Sequence, residues 1–165
     1  MIAKSYIKST LNELDRLYND STSQKKAIYY SKLAVLELCG WIEESLDDIL
    51  LRHGNRNLIK PENKLFCKDK IIKGNYGFQY NDNIRPMLLK LLGLINLEKT
   101  EIELEKTAQI TLLKTNLGNL KLVRNEAAHT YLKGVTRTYN APSRTIADFN
   151  RIYNLLKNLD EELRK

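Results

Sequence analysis

The chain has 165 residues, of which 42% are hydrophobic and 28% are charged, and 27 lysines and arginines outnumber 20 acidic residues to give a net charge of +7. This length suits one domain with one core, and the composition excludes a disordered chain. No apolar run reaches the roughly 18 residues of a membrane-spanning helix. The positive surplus favours polyanionic partners such as RNA, but many basic proteins bind no nucleic acid.

The N-terminal sequence and the cysteines suggest where the protein works. The first residues, MIAKSYIKSTLNELD, lack the apolar block of a secretory signal. Cys39 and Cys67 lie far apart and have no CxxC or cysteine–histidine spacing. We therefore expect free, buried thiols in a reducing cytosol and no metal site. We also expect no cofactor, because the sequence has no glycine-rich phosphate loop and no Ser/His/Asp arrangement.

Apolar residues at helical spacing predict two helices in the first third of the chain. The first covers about 2–19, and the polar sequence NDSTSQ after it offers serine or threonine caps. The second runs from about 23 to 53, and Gly54 is placed to end it. Four acidic residues of this helix are interpreted as a solvated face rather than a catalytic pair: Glu43, Glu44, Asp47 and Asp48.

The rest of the chain predicts one irregular segment and three more long helices. At about 54–83 we expect an insertion containing a short helix near 61–73 and then a loop. The long helices are predicted at about 84–95 with Pro86 in the first turn, from about 98 onward, and from a capping Ser143 to the end. The fold class is therefore all-α, an antiparallel bundle of about five helices in a single domain over 1–165.

Aromatic residues alternate in the irregular segment. In KGNYGFQYNDN, Tyr76, Phe78 and Tyr80 are spaced two apart and follow several lysines. Aromatic rings near lysines can stack on nucleic-acid bases. A small hairpin, or a loop packed on the bundle, is the simpler prediction for this sequence.

The stretch RNEAAHTY at 124–131 combines residue types that suit a phosphate site. Arg124 lies at the edge of an apolar line through Leu117 and Leu120 that should face the core. A guanidinium buried without a partner would be costly, so we expect Arg124 to face a polar cleft, a partner subunit or an anion. Arginine binds phosphate with a planar, permanently charged fork.

His129 adds a group that exchanges protons near neutral pH. Asn125 lies one helical turn before it, where its amide could orient the imidazole. Arg124 and His129 are about 140° apart around an ideal helix and would not converge. Either the helix ends near Ala128, or a second copy of the chain completes the site across a twofold axis.

An arginine and a histidine that do converge could cleave RNA without a metal. The imidazole would take the proton of the 2′-hydroxyl or give one to the leaving 5′-oxygen, and the guanidinium would stabilise charge on the phosphorus. A histidine near a helix end is also a common capping or packed residue. Spacing alone leaves both interpretations open.

The same residues resemble a known motif. RNEAAH matches the Arg-x4–6-His motif of the HEPN superfamily, in which a polar residue, often asparagine, follows the arginine. RNEAAHTY also fits the Arg-x4-His-x-Tyr form of HEPN toxins that are paired with minimal nucleotidyltransferase antitoxins. HEPN domains are small helical bundles whose motif precedes a final helix, which is the order predicted here.

The resemblance implies a metal-independent endoribonuclease that acts as a toxin or antiphage defence effector in the cytoplasm. Such proteins form homodimers in which two Arg/His sets share one cleft. Arg124 would contact the phosphate, His129 would be the acid–base residue and Asn125 a supporting polar residue. Tyr131 matches the tyrosine that a partner nucleotidyltransferase adenylylates, but this chain is longer than that branch, which favours a structural tyrosine.

Basic residues surround the motif. Residues 114–145 contain six lysines and arginines against Glu126 alone, which indicates either an RNA-facing surface or a generic basic loop. The RNA-binding candidates are Lys121, Lys133, Arg137 and Arg144.

Two other functions remain open. The chain could be a non-catalytic HEPN module that binds RNA, a nucleotide or a protein partner. It could also be a purely structural bundle. In that case Arg124 should be exposed or paired with a local carboxylate, and no cleft should lie beside His129.

Overall fold

The computed structural model describes residues 2–129 and 138–165, and every regular element within them is a helix. The α-helices, in chain order, are α1 (Ser5–Asn19), α2 (Gln24–Asn57), α3 (Pro61–Phe66), α4 (Arg85–Glu105), α5 (Gln109–Ala128) and α6 (Pro142–Glu162). Two π-helical stretches, Cys67–Ile72 and Tyr80–Ile84, flank the loop between α3 and α4. The predicted all-α bundle is confirmed.

The long helix α2 is central and packs against α1, α5 and α6. Its 34 residues extend about 50 Å at the usual rise per residue. Its buried residues recur at steps of three and four, as the sequence predicts. The core contains fully buried side chains from all four helices, among them Leu11, Leu38, Ile42, Leu46, Leu117 and Leu156. This packing fixes the positions of α2 and α5, which carry the residues of interest.

Gly54 lies inside α2, so the prediction that it ends the helix is wrong. The helix continues to Asn57. A Cβ at Gly54 would lie 2.7 Å from Sγ of Cys67, a side chain that is only 1% exposed. The glycine is therefore needed for the close approach of the π-helical stretch to α2, and not for a turn.

Replacing Gly54 by alanine should lower the free energy of unfolding by about 1–2 kcal/mol, because overpacking outweighs the gain in helix propensity. Urea denaturation measures this difference. Gly40→Ala is the matched control, since it lies in the same helix and nothing is within 4 Å of an added Cβ. Gly40→Ala should raise the free energy of unfolding by about 0.5–1 kcal/mol. If both substitutions raised the free energy of unfolding by the same amount, close packing at Gly54 would be ruled out.

The predicted break near residue 97 lies close to a kink at Gly93, and a second break, after Glu105, interrupts the helix that was predicted to continue from about 98. Gly93 has φ 71° and ψ 163°, a non-helical conformation available to glycine, and it divides α4 into two helical segments joined at a kink. The chain leaves the helix after Glu105 and turns through Ala108, which has φ 56°. The Glu105 carboxylate then accepts hydrogen bonds from the backbone N–H and hydroxyl of Thr111, which caps the first turn of α5.

The starts of three helices show which local signals were correct. Ser23 caps α2 through a hydrogen bond from the N–H of Lys26, and Pro86 lies in the first turn of α4, both as predicted. Ser143 is not the cap of α6. Pro142 takes the first helical position and Ala141 the cap position, without a side-chain hydrogen bond.

The segment predicted to be irregular is mostly helical. The predicted short helix near 61–73 corresponds to α3 and the π-helical turn that follows it. The loop after it packs on the bundle, with Phe78 and Tyr80 each 2% exposed, whereas Tyr76 is 89% exposed. A packed loop was one of the two predicted forms, and the hairpin does not occur.

The two cysteines are free and buried, as predicted. Burial raises the pKa of the Cys39 thiol to about 12, which keeps it protonated at neutral pH. Within residues 2–129 and 138–165, no helix has both the length and the apolar character needed to cross a membrane.

Candidate functional site

Helix α5 carries the RNEAAH sequence at its C-terminal end. Leu117, Leu120 and Ala127 face the core, and Arg124 lies at the border of this face with its side chain 34% exposed. The helix ends at Ala128, and the backbone N–H of His129 makes the last helical bond, to the carbonyl of Asn125 at 3.0 Å. The predicted end of the helix near Ala128 is therefore present.

Two side chains hold the guanidinium of Arg124. Its Nη2 lies 3.3 Å from Oε1 of Glu43 on α2, and its Nη1 donates to Oδ1 of Asn125 at 3.2 Å. The predicted polar surroundings are therefore present. They also include the carboxylate partner that the structural-bundle interpretation requires. Because both members of the Arg124–Glu43 pair are about one-third exposed, the pair adds little stability and can yield to a competing anion.

Arg124 stands between two clefts. The acidic cleft, with a volume of about 710 Å³, is lined by Glu43, Glu44, Asp47, Lys73, Asn75, Tyr76, Gly77 and Arg124. The central cleft, of about 220 Å³, is lined by Tyr76, Gly77, Phe78, Gln79, Asp82, Asn83, Lys121 and Arg124. The tip of the loop at 73–79 separates them. The loop and the end of α5 thus form one continuous polar surface around the guanidinium.

The acidic cleft contains carboxylates that were interpreted from the sequence as part of a solvated helix face. Glu43 and Asp47 are one turn apart on α2 and both are half-buried. Burial, with the charges of Glu44 and Glu43, raises the pKa of Asp47 to about 6. The only signal in the sequence was the i, i+4 spacing of two acids beside the buried stripe, a pattern that many surface helices share.

Asp47→Asn should stabilise the protein at pH 7 but not at pH 4. A carboxyl with a raised pKa binds its proton more tightly in the folded state than in the unfolded state. Ionised Asp47 therefore lowers the free energy of unfolding above about pH 6. This loss disappears as the pH falls toward 3.8, the ordinary pKa of the side chain. Solvent screening limits the gain at pH 7 to about 1 kcal/mol, or roughly 3 °C in Tm. Thermal unfolding of both proteins across pH 4–8 measures it, and a pH-independent difference would contradict this account.

His129 is exposed at the C-terminal end of α5 and lines neither of the clefts that contain Arg124. Arg124 and His129 therefore share neither of these two clefts. The expectation that the Asn125 amide orients the imidazole is also not met, because among the described residues the Asn125 side chain contacts Arg124 instead. Asn125 still acts as a polar support, but for the guanidinium.

The other predicted residues fall into two groups. Lys121 lines the central cleft with Arg124, while Arg144 forms an exposed pair with Asp148 on α6, with Nε and Oδ1 3.6 Å apart. Three candidates lie outside the residues that the structure describes: Tyr131, Lys133 and Arg137.

The chain returns to α5 just after the motif. The hydroxyl of Tyr139 donates to the backbone carbonyl of Glu126 at 3.0 Å, and the ring of Tyr139 packs against the core. His129 and Tyr139 therefore both lie next to the last turns of α5. Comparison with protein-family models, with curated proteins and with solved structures found no match to this chain.

Proposed function

We propose that this protein is an endoribonuclease of the HEPN type that cleaves RNA without a metal and acts as a toxin or antiphage defence effector. The observation that carries the proposal is the placement of Arg124. A positioned, half-buried guanidinium lines two clefts at the end of the helix that also presents an exposed His129. The resemblance of RNEAAHTY to the HEPN motif supplies the reaction.

The proposed reaction is an internal displacement at phosphorus. His129 removes the proton of the RNA 2′-hydroxyl, the 2′-oxygen forms a bond to phosphorus, and the bond to the 5′-oxygen breaks. A proton returns to that leaving oxygen, which yields a 2′,3′-cyclic phosphate and a 5′-hydroxyl. Arg124 stabilises the charge that accumulates on the non-bridging oxygens.

A homodimer is part of the proposal, because His129 does not line either of the two clefts that Arg124 lines in its own chain. Leu122 is 65% exposed and lies seven residues before His129, hence on the same face of α5. In the proposed dimer a second protomer packs on this face and covers Leu122. A twofold axis there would bring the two His129 residues toward one shared cleft.

Leu122→Glu should convert the dimer to a monomer and lower RNA cleavage at least tenfold, because two carboxylates would be buried at the axis. Light scattering after size exclusion gives the mass, which should fall to that of one 19.2 kDa chain. Leu112→Glu is the control, since Leu112 is also exposed on α5, at 44%. A monomeric wild-type protein, or a dimer unaffected by Leu122→Glu, would contradict this interface.

A second candidate function is a non-catalytic module that binds RNA, a nucleotide or a protein partner. It is favoured by the Arg124–Glu43 pair and by the position of His129 outside the clefts of its own chain. An RNA gel assay separates the two functions. The nuclease shortens a mixed RNA pool at micromolar protein in EDTA and in magnesium, whereas the binding module retards the RNA without shortening it.

An antitoxin partner follows from the same resemblance. If this chain follows the antitoxin-paired branch despite its greater length, a minimal nucleotidyltransferase would attach a nucleotide to Tyr131 and block cleavage, whereas a structural Tyr131 would stay unmodified. Co-expression with such a partner and intact-mass measurement would detect the modification.

A further inference from the structure

We propose that the groove between α5 and the 73–83 segment holds single-stranded RNA, with a base stacked on Tyr76 and phosphates on Lys121 and Arg124. The choice of RNA rests on the proposed nuclease function. The geometry itself points to an unpaired strand with bases and phosphates. The inference gives the segment at about 54–83 a role in substrate binding.

The first support is the exposure of Tyr76. A tyrosine that is 89% exposed gains nothing from the hydrophobic effect, yet its two aromatic neighbours in the alternating sequence, Phe78 and Tyr80, are each only 2% exposed. Tyr76 therefore lies at the rim of both the acidic and the central cleft while the loop beneath it is anchored in the core. Such a ring is available to stack on a base.

The second support is the rigidity of the loop that carries Tyr76. The Asn83 amide donates to the backbone carbonyl of Tyr76 and to Oδ1 of Asn75, both at 3.1 Å, while its oxygen accepts from the N–H of Gln79 at 2.9 Å. Gly77, with φ 117°, makes the turn. The backbone that carries the ring is thus held in place before any ligand binds, which lowers the entropic cost of ordering the loop on binding.

The third support is a row of cations on the facing side of α5. Lys114, Lys121 and Arg124 recur at steps of seven and three, so they share one face and extend over about 15 Å. The small outer cleft, lined by Gln79, Tyr80, Asn81, Asp82, Lys114 and Gly118, continues the central cleft along this row. Gly118 leaves open space where a side chain would stand. The row is long enough for a few nucleotides.

Lys121 retains capacity for phosphate. Lys121 donates to the side-chain oxygen of Gln79 and lies 3.9 Å from Oδ2 of Asp82, and an ammonium has three N–H donors. Asp82 is the single acidic residue that lines the central or outer cleft in the described part of the chain, and its side chain is 69% exposed. Lys121 is therefore partly positioned by the loop and still able to bind an anion.

The acidic cleft determines where the proposed RNA-binding groove ends. Glu43, Glu44 and Asp47 line it and repel phosphate, and Lys114 at the other end also borders Glu98, Glu101 and Glu105. The phosphates therefore lie mainly between Arg124 and Lys121. Arg124 is then the last cation of the groove, where a phosphate would be held for reaction. A duplex does not fit this scheme, since its bases are stacked on one another and cannot reach the ring of Tyr76.

The test measures binding of a fluorescein-labelled 12-nucleotide RNA to the His129→Ala protein by anisotropy, so that cleavage does not intervene. Adding Tyr76→Ala should weaken binding about tenfold, whereas Tyr76→Phe should keep it within about twofold. Tyr6→Ala is the matched control, because Tyr6 is 79% exposed on α1. Lys121→Ala should reduce the slope of log Kd against log salt by about 1.

The inference is overturned if Tyr76→Ala binds as tightly as its parent, or if a blunt RNA duplex binds as well as the single strand. Its failure is distinguishable from failure of the proposed function. A wild-type protein that cleaves RNA with a KM unchanged by Tyr76→Ala has the function but not this groove. A protein that binds the single strand through Tyr76 and forms no products has the groove but not the function, and absence of both binding and cleavage overturns both.

Discussion

His129→Ala is expected to lower the rate of RNA cleavage by about 10²–10⁴-fold, because it removes the group that exchanges a proton with the 2′-hydroxyl or the leaving oxygen. Arg124→Ala should lower it by about 10²–10³-fold, since the charge on phosphorus loses its main stabilising donor. Both rates are measured under single-turnover conditions, which isolates the chemical step from product release.

The stability of these two variants is the necessary control. His129 is exposed at the helix end, and Arg124 forms a partly exposed pair, so each change should alter the free energy of unfolding by less than about 1 kcal/mol. A loss of cleavage with normal thermal unfolding supports a role in the reaction. Variants that cleave RNA at the wild-type rate would refute the role assigned to these residues.

Asp160→Ala should produce the largest loss of stability among the polar substitutions, about 2–3 kcal/mol. The Asp160 side chain on α6 is 8% exposed, accepts from Arg52 Nη1 at 3.2 Å and also pairs with Arg164. This network joins α2 to α6 through Arg52 and Asp160, which are 108 positions apart in the sequence. Removing the carboxylate leaves the largely buried guanidinium of Arg52, whose Nη2 already has no hydrogen-bond partner, without its main counter-charge.

Asp48→Ala is the matched control for Asp160→Ala. Asp48 contacts the same guanidinium, through Nε at 2.9 Å, but its side chain is 51% exposed and lies one turn away on the same helix. Its loss should cost about 0.3–0.5 kcal/mol. Urea denaturation of both variants gives the comparison, and equal effects would show that burial of Asp160 is not what makes its contact important.

Much of the bundle could be predicted because helical periodicity is a local property. The apolar stripe through Leu38, Ile42 and Leu46 specified α2, and the same periodicity placed Arg124 at the edge of the buried face of α5. Helix ends were harder, since they depend on single backbone conformations. The positive φ of Ala108, which separates α4 from α5, has no signature in a sequence of good helix formers.

Only the part of the candidate site that lies on α5 could be predicted, because the residues that complete the site are distant in the sequence. Arg124 and Asn125 were found from the motif, and Lys121 from the basic stretch around it. Glu43 lies 81 positions before Arg124, and nothing in the local pattern distinguishes an acid that meets an arginine from one that meets water. The role of Tyr76 likewise depends on which aromatic residues of the loop are turned into the core.

The most direct measurement is end-group analysis of RNA incubated in EDTA with the wild-type protein, beside the His129→Ala and Arg124→Ala variants. Our account predicts products with 2′,3′-cyclic phosphate and 5′-hydroxyl ends for the wild type and intact RNA for both variants. RNA left intact by the wild-type protein, in EDTA and in magnesium alike, would contradict it.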